Sequence, residues 1–180
     1  MKRCEFLKRK IANYLRKEQL LKKQEYTKLE KPFLTKARKN YSIANLMFKI
    51  SEQNDFKRAL ALPESFETHE WVIIVSYYSM YVSALAALAK LSFKSKSHAA
   101  TIAVLEHNYV RKEKLETKHV DTLSKAYALS ENLITKLVKN KTRRETAQYD
   151  ATPAISREMA ITALADAEEF ITKVEEVLGS

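Results

Sequence analysis

Apolar residues recur at helical spacing through most of this chain. Leu7, Ile11 and Leu15 stand every four residues with Cys4 one turn earlier, a single apolar stripe on an otherwise basic helix. Pro32, after Glu30 and Lys31, is expected to end that helix, and a second starts near Phe33, where Leu34, Ala37, Tyr41, Ala44 and Phe48 share one face. Asn54 and Asp55 break the pattern; Asp55 is expected to cap a short turn through Leu60, which Pro63 stops. From Trp71 to Ala89 no charged residue occurs. Its β-branched start, Val72 to Val75, suits a strand, but it continues without a turn signal into an Ala- and Leu-rich segment, and length favours a helix. Ser76, Ser79, Ser83 and Ala87 form a small-residue stripe on it, where a neighbouring helix can approach closely.

Ser97 is expected to cap a helix through Val110, and residues 111–118 read as a surface connection. Leu123, Ala126, Ser130, Leu133 and Leu137 mark another amphipathic helix. The last is capped by Ser156, carries Ala160, Ala163, Ala167, Phe170, Val174 and Val177 on one side, and ends at Gly179. Five to six helices with short connections and no strands fold most simply as an all-α antiparallel bundle. No repeat of a few tens of residues marks a solenoid.

One Gly and three Pro in 180 residues leave little for hairpin turns or for a glycine-rich phosphate loop, which disfavours an all-β fold and that type of nucleotide site. The single cysteine, Cys4, excludes an internal disulfide and a Cys-based zinc site and fits a reducing compartment. Lys8, Arg9 and Lys10 interrupt the only early apolar cluster, unlike a secretory signal, so the expected location is the cytoplasm. The uncharged 71–89 stretch is long enough to span a bilayer, but its Ser and Tyr residues lower its hydrophobicity, and it reads as the central helix of a bundle with no membrane partner.

The charge is unevenly placed. The chain holds 32 Lys/Arg against 22 Asp/Glu, a net of +10, and residues 1–40 alone hold 14 against 4. Residues 41–180 hold 18 of each sign, so the excess sits at the start of the chain, the pattern of a polyanion-binding arm on a neutral body; the chain is read as a basic N-terminal helical extension, 1–32, and a helical bundle domain, 33–180. The plain alternative is a solvated Lys-rich helix without a ligand. The arm does not interleave aromatics in a strand-stacking pattern, and it lacks the strong apolar face of a membrane-surface helix.

Of the four histidines, His69 and His119 fall at helix starts and are expected on the surface; His98 and His107 share a helix but stand more than two turns apart and cannot hold one ligand. No ligand spacing for zinc appears, and no cofactor is expected. The most informative polar cluster is Arg143, Arg144, Glu145, Thr146, Ala147, Gln148, Tyr149 and Asp150. Guanidinium groups bind phosphate bidentately, and a phenol can hydrogen-bond beside them. The alternative is a basic helix end complementing the macrodipole, with Tyr149 packed at the end of the bundle.

These residues resemble a known family. Tyr77-Tyr78-Ser79-Met80 on the central helix, then Ser95-Lys96-Ser97-His98, and later Arg144, Ala147, Gln148 and Tyr149, resemble the Tyr-Tyr-x-Met, Ser-Lys-x-His and Arg-x-x-Ala-Asp-Tyr elements of archaeal and bacterial HEPN domains, in the right order from about Phe33 to Leu178. The resemblance implies a helical bundle that dimerises, often encoded beside a minimal nucleotidyltransferase as a toxin–antitoxin pair. Catalytic members are metal-independent endoribonucleases in which an Arg stabilises the phosphate and a His a few residues later handles the proton of the 2′-hydroxyl.

Here Tyr149 stands where that histidine is expected and Gln148 replaces the Asp. A phenol titrating near pH 10 is a weak base beside an imidazole near 6.5. The reading is therefore a dimeric RNA- or nucleotide-binding partner of a nucleotidyltransferase, with Arg143, Arg144, Lys94, Lys96 and His98 as phosphate contacts. The alternative is an endoribonuclease using Arg144 and Tyr149. The family also implies Tyr149 as an acceptor of a nucleotide group, which would occupy Arg144 as a charge switch.

Overall fold

The computed structural model describes residues 2–143 and 155–179, with the backbone alone at 2–3 and 135–143. Among the described residues, seven α-helices and one short ribbon follow in order: α1 (Lys2–Arg16), β1 (Leu20–Lys22), a 3-10 turn (Gln24–Leu29), α2 (Glu30–Glu52), α3 (Asn54–Ala59), α4 (His69–Lys90), β2 (Phe93–Ser95), α5 (His98–Asn108), a 3-10 turn (Val110–Lys112), α6 (Thr117–Arg143) and α7 (Arg157–Leu178). The all-α bundle expected from the periodicity is the observed architecture.

The axis of the bundle is α4, which packs against α2, α5, α6 and α7. By length and composition it is apolar enough to cross a membrane, yet 78% of that apolar stretch is buried among the other helices. Its Ser76, Ser79 and Ser83 are fully buried. Ser79 and Ser83 donate to the carbonyls of Ser76 and Met80, so these hydroxyls are satisfied within the helix. Without long side chains at these positions, α4 and a neighbour can lie close together. Tyr77, Met80, Leu88, Leu105, Leu123 and Phe170 fill the main core, each large apolar side chain contributing about 1.5–3 kcal/mol by burial. Arg38 of α2 grips Glu175 of α7 with both ends of its guanidinium, Nε donating to Oε1 at 2.9 Å, which ties the two helices flanking α4.

Several local expectations need correction. Pro32 lies inside the first turn of α2 and ends nothing; a first-turn proline gives up an N–H that has no helical partner anyway. The first helix stops at Arg16, where Glu18 takes a left-handed conformation (φ 53°), and the chain then pairs β1 with β2. Asp55 sits in the first turn of α3, and the residue at its cap is Gln53, without a side-chain bond. Ser97 is at the cap of α5 with extended backbone but makes no capping bond, and the helix ends at Asn108. At α7 the expected cap is present: Met159 N donates to Ser156 Oγ at 3.3 Å, and Gly179 closes the helix at φ 73°.

The N-terminal segment lies on the bundle. Leu7, Ile11 and Leu20 are buried, and α1 packs on α5. Leu20 is 0% exposed and shares the main core with Tyr77 and Leu88.

Candidate functional site

Two of the motif elements meet in space. Tyr77 and Tyr81 are one turn apart on α4 and so project from one face; α5 starts beside them, and α6 crosses with Tyr127. His98, the first residue of α5, is stacked between Tyr81 (ring centroids 4.1 Å apart) and Tyr127 (4.2 Å). The Tyr77 hydroxyl hydrogen-bonds its Nδ1. Burial holds His98 below the usual imidazole range, against the opposing pull of Glu131. Burial also pushes the Tyr77 phenol far up, with Tyr81, Tyr78, Tyr127 and Glu131 adding to the shift. Tyr81 is raised by burial too, against a hydrogen bond with Thr101. This cluster of rings fixes α5 to α4 and α6.

Lys94 and Lys96 stand on the ribbon just before His98. The register pairs Leu20 with Ser95, Leu21 with Lys94 and Lys22 with Phe93. Both lysines are exposed, and Lys94 Nζ lies 5.8 Å from the centre of the Tyr26 ring.

Arg144 and Tyr149 lie outside the described residues, and Arg143 closes α6 with its side chain outside them as well. At 1.5 Å per residue the helix rises about 24 Å from Tyr127 to Arg143, so within one chain His98 and the end of α6 are far apart.

Two of the remaining histidines are enclosed. His69 and His119, expected on the surface, are 7% and 4% exposed. Each occupies the first turn of a helix whose start is covered by neighbouring elements. His69 Nε2 is 3.3 Å from Glu52 Oε1 of α2; His119 accepts a bond from the Glu116 N–H and faces Glu169 of α7. His107 has a buried Nδ1 without a hydrogen-bond partner, and burial plus Arg111, Lys8 and Lys112 hold its pKa down. A groove of about 540 Å³ runs between α6 and α7 over Ile73, Tyr77 and Met80 of α4. Its polar rim includes Asp166 and Glu158 against Lys125, a poor match for a phosphate.

The ribbon and the Tyr127 contact escaped the sequence reading. Three-residue strands carry no alternation to detect, whereas the four-residue spacing of Tyr77 and Tyr81 is visible once α4 is known to be a helix.

A helical bundle whose central Tyr-Tyr-x-Met helix meets a Ser-Lys-x-His turn defines the class. The family model for the HEPN domain matches residues 47–177, and the chain belongs to the HEPN family, which links it to nucleotide- and RNA-related function. No curated protein matches the chain. The basic segment, residues 1–40, precedes the matched region.

Proposed function

We propose that the protein is a dimeric RNA- or nucleotide-binding HEPN partner of a minimal nucleotidyltransferase, of the toxin–antitoxin kind, and that it binds phosphate without cleaving RNA. The observation that carries this reading is the state of the histidines. His98 is clamped between two rings, His69 and His119 are buried elsewhere in the fold, and half-buried His107 has its Nδ1 enclosed. Metal-independent RNA cleavage needs a base placed at the 2′-hydroxyl beside a phosphate-binding cation, and an imidazole stacked between two rings and tied to a phenol does not supply it.

The dimer is supported by a face of α4 that the bundle leaves open. Trp71 and Tyr78, two turns apart, are 48% and 41% exposed, and Ile43 and Leu46 are exposed on adjacent α2. Large aromatics at the surface with aliphatic neighbours suit a second copy of the same helix pair. Arg143, Arg144, Lys94 and Lys96 are the phosphate contacts of this reading, and Tyr149 is the acceptor if the partner enzyme adds a nucleotide.

The test is equilibrium binding of RNA to wild type and Arg144→Ala across a salt series. Binding that falls steeply with salt and weakens in the variant supports the reading; absence of RNA and nucleotide binding by wild type overturns it. Intact-mass measurement after co-expression with a nucleotidyltransferase tests the role of Tyr149, and an unmodified mass counts against it.

A further inference from the structure

We propose that the outer face of the β1–β2 ribbon is a docking surface for a polynucleotide backbone, with β1 and Lys23 before the family-matched region and β2, Lys94 and Lys96 within it. The inference rests on the polyanion-binding reading above and assigns that binding a place. Leu20 points into the core, so its alternates along β1 point outward. The pairing continues past both ends of the strands: Lys23 N donates to Ser92 O at 3.0 Å and Lys96 N to Gln19 O at 2.9 Å. Facing residues share a side, so Lys23, Lys94 and Lys96 stand together on the outer face with half-buried Leu21 between them. Lys17, also exposed, lies in the turn that leads into the ribbon.

These charges are available. Among the described residues Lys94 and Lys96 have no carboxylate partner, and Lys23 has only Glu25 at 3.7 Å, with both side chains more than 60% exposed. The outer face carries a ring beside its charge: Lys94 Nζ lies 5.8 Å from the centre of the Tyr26 ring, whereas Lys22 and Phe93, paired with each other, fall on the Leu20 side of the ribbon. Cations over aromatic faces give a strand both phosphate contacts and a surface for base stacking. The platform is already ordered, with Leu20 buried beneath it, Ser92 Oγ donating to Gln24 Oε1 at 3.0 Å, and clamped His98 at its end, so binding need not fix a loose arm. None of the exposed large apolar side chains among the described residues falls between 17 and 29 or between 92 and 97. The face therefore has no apolar edge to insert into a bilayer, and a nucleic acid is the better match.

The experiment uses the full chain, with wild type, Lys23→Gln/Lys94→Gln/Lys96→Gln and Arg144→Ala. Each is titrated against a fluorescent single-stranded RNA, the DNA of the same sequence, and anionic phosphatidylserine vesicles. The triple variant is expected to lose about tenfold or more in affinity and to lower the salt slope by about 2 between about 50 and 200 mM salt. Thermal melts should coincide, because the three lysines are exposed. A preference for RNA over DNA assigns the source of the phosphodiesters. Triple-variant binding equal to wild type overturns the ribbon assignment while leaving the polyanion reading intact. Wild type that binds neither nucleic acid, or binds vesicles alone, overturns both.

Discussion

The hydroxyl of Tyr77, in the middle of α4, is hydrogen-bonded to Nδ1 of His98, the first residue of α5. Two short motifs far apart in sequence are thereby one physical unit, and Tyr127 closes it from α6. The imidazole acts as a rivet between three helices. It stands three residues after β2, close along the chain to Lys94 and Lys96.

Tyr77→Phe keeps the ring in the core and removes the hydroxyl, leaving a half-buried imidazole nitrogen without its partner. The expected cost is about 1–3 kcal/mol in urea unfolding. His98→Ala should cost at least as much, since it also removes both stacking contacts. An unchanged midpoint for Tyr77→Phe would mean that the contact carries no weight.

Stability should fall on acidification before the carboxylates titrate. Burial depresses the pKa of both His98 and His107, so the unfolded chain binds more protons than the folded one as pH drops through about 6.5. Stability is therefore full above that pH and is lost as pH falls toward the depressed values. Urea midpoints at about pH 7.5 and 5.5 should show the loss, and His98→Gln/His107→Gln should flatten the difference. Equal midpoints for wild type at both pH values would contradict the burial argument.

Leu20→Ala should unzip the ribbon. Leu20 is completely buried, and truncating such a side chain costs about 2–5 kcal/mol. The local signature is faster amide hydrogen exchange in residues 20–22 and 93–95 than in α4. Retained protection in the ribbon would show that β1 is held by other contacts.

Trp71→Glu places a charge on the open face of α4 at a side chain 48% exposed, so the monomer fold should survive. Light scattering after size exclusion should show a dimer for wild type and a monomer for the variant. A wild-type monomer at high concentration would rule out this face as the contact.

Long helices were legible in the chain and short elements were not. The spacing of Leu34, Ala37 and Ala44 and of Ala160, Ala167 and Phe170 marks faces that are buried in α2 and α7, because many turns repeat the same signal. The uncharged run of α4 is legible as the core helix because its serines and tyrosines disfavour lipid. Pro32 misled because proline breaks helix interiors but fits first turns. The ribbon stayed hidden because it joins residues some seventy positions apart, Leu20 to Ser95, by backbone bonds that leave no side-chain pattern. At the site, the motif residues Tyr77 and His98 were visible individually, but their contact depends on how α4 and α5 pack. The burial of His69 and His119 likewise comes from neighbouring elements that no local reading of a helix start includes.

The central claim is that this HEPN domain holds a phosphate backbone and leaves it intact. The most direct measurement incubates purified wild type and Arg144→Ala with labelled RNA in EDTA, following bound fraction and strand length in the same samples. The account predicts full-length RNA throughout, bound by wild type and held more weakly by the variant. EDTA-resistant cleavage by wild type that disappears in Arg144→Ala would contradict it and identify the protein as a nuclease.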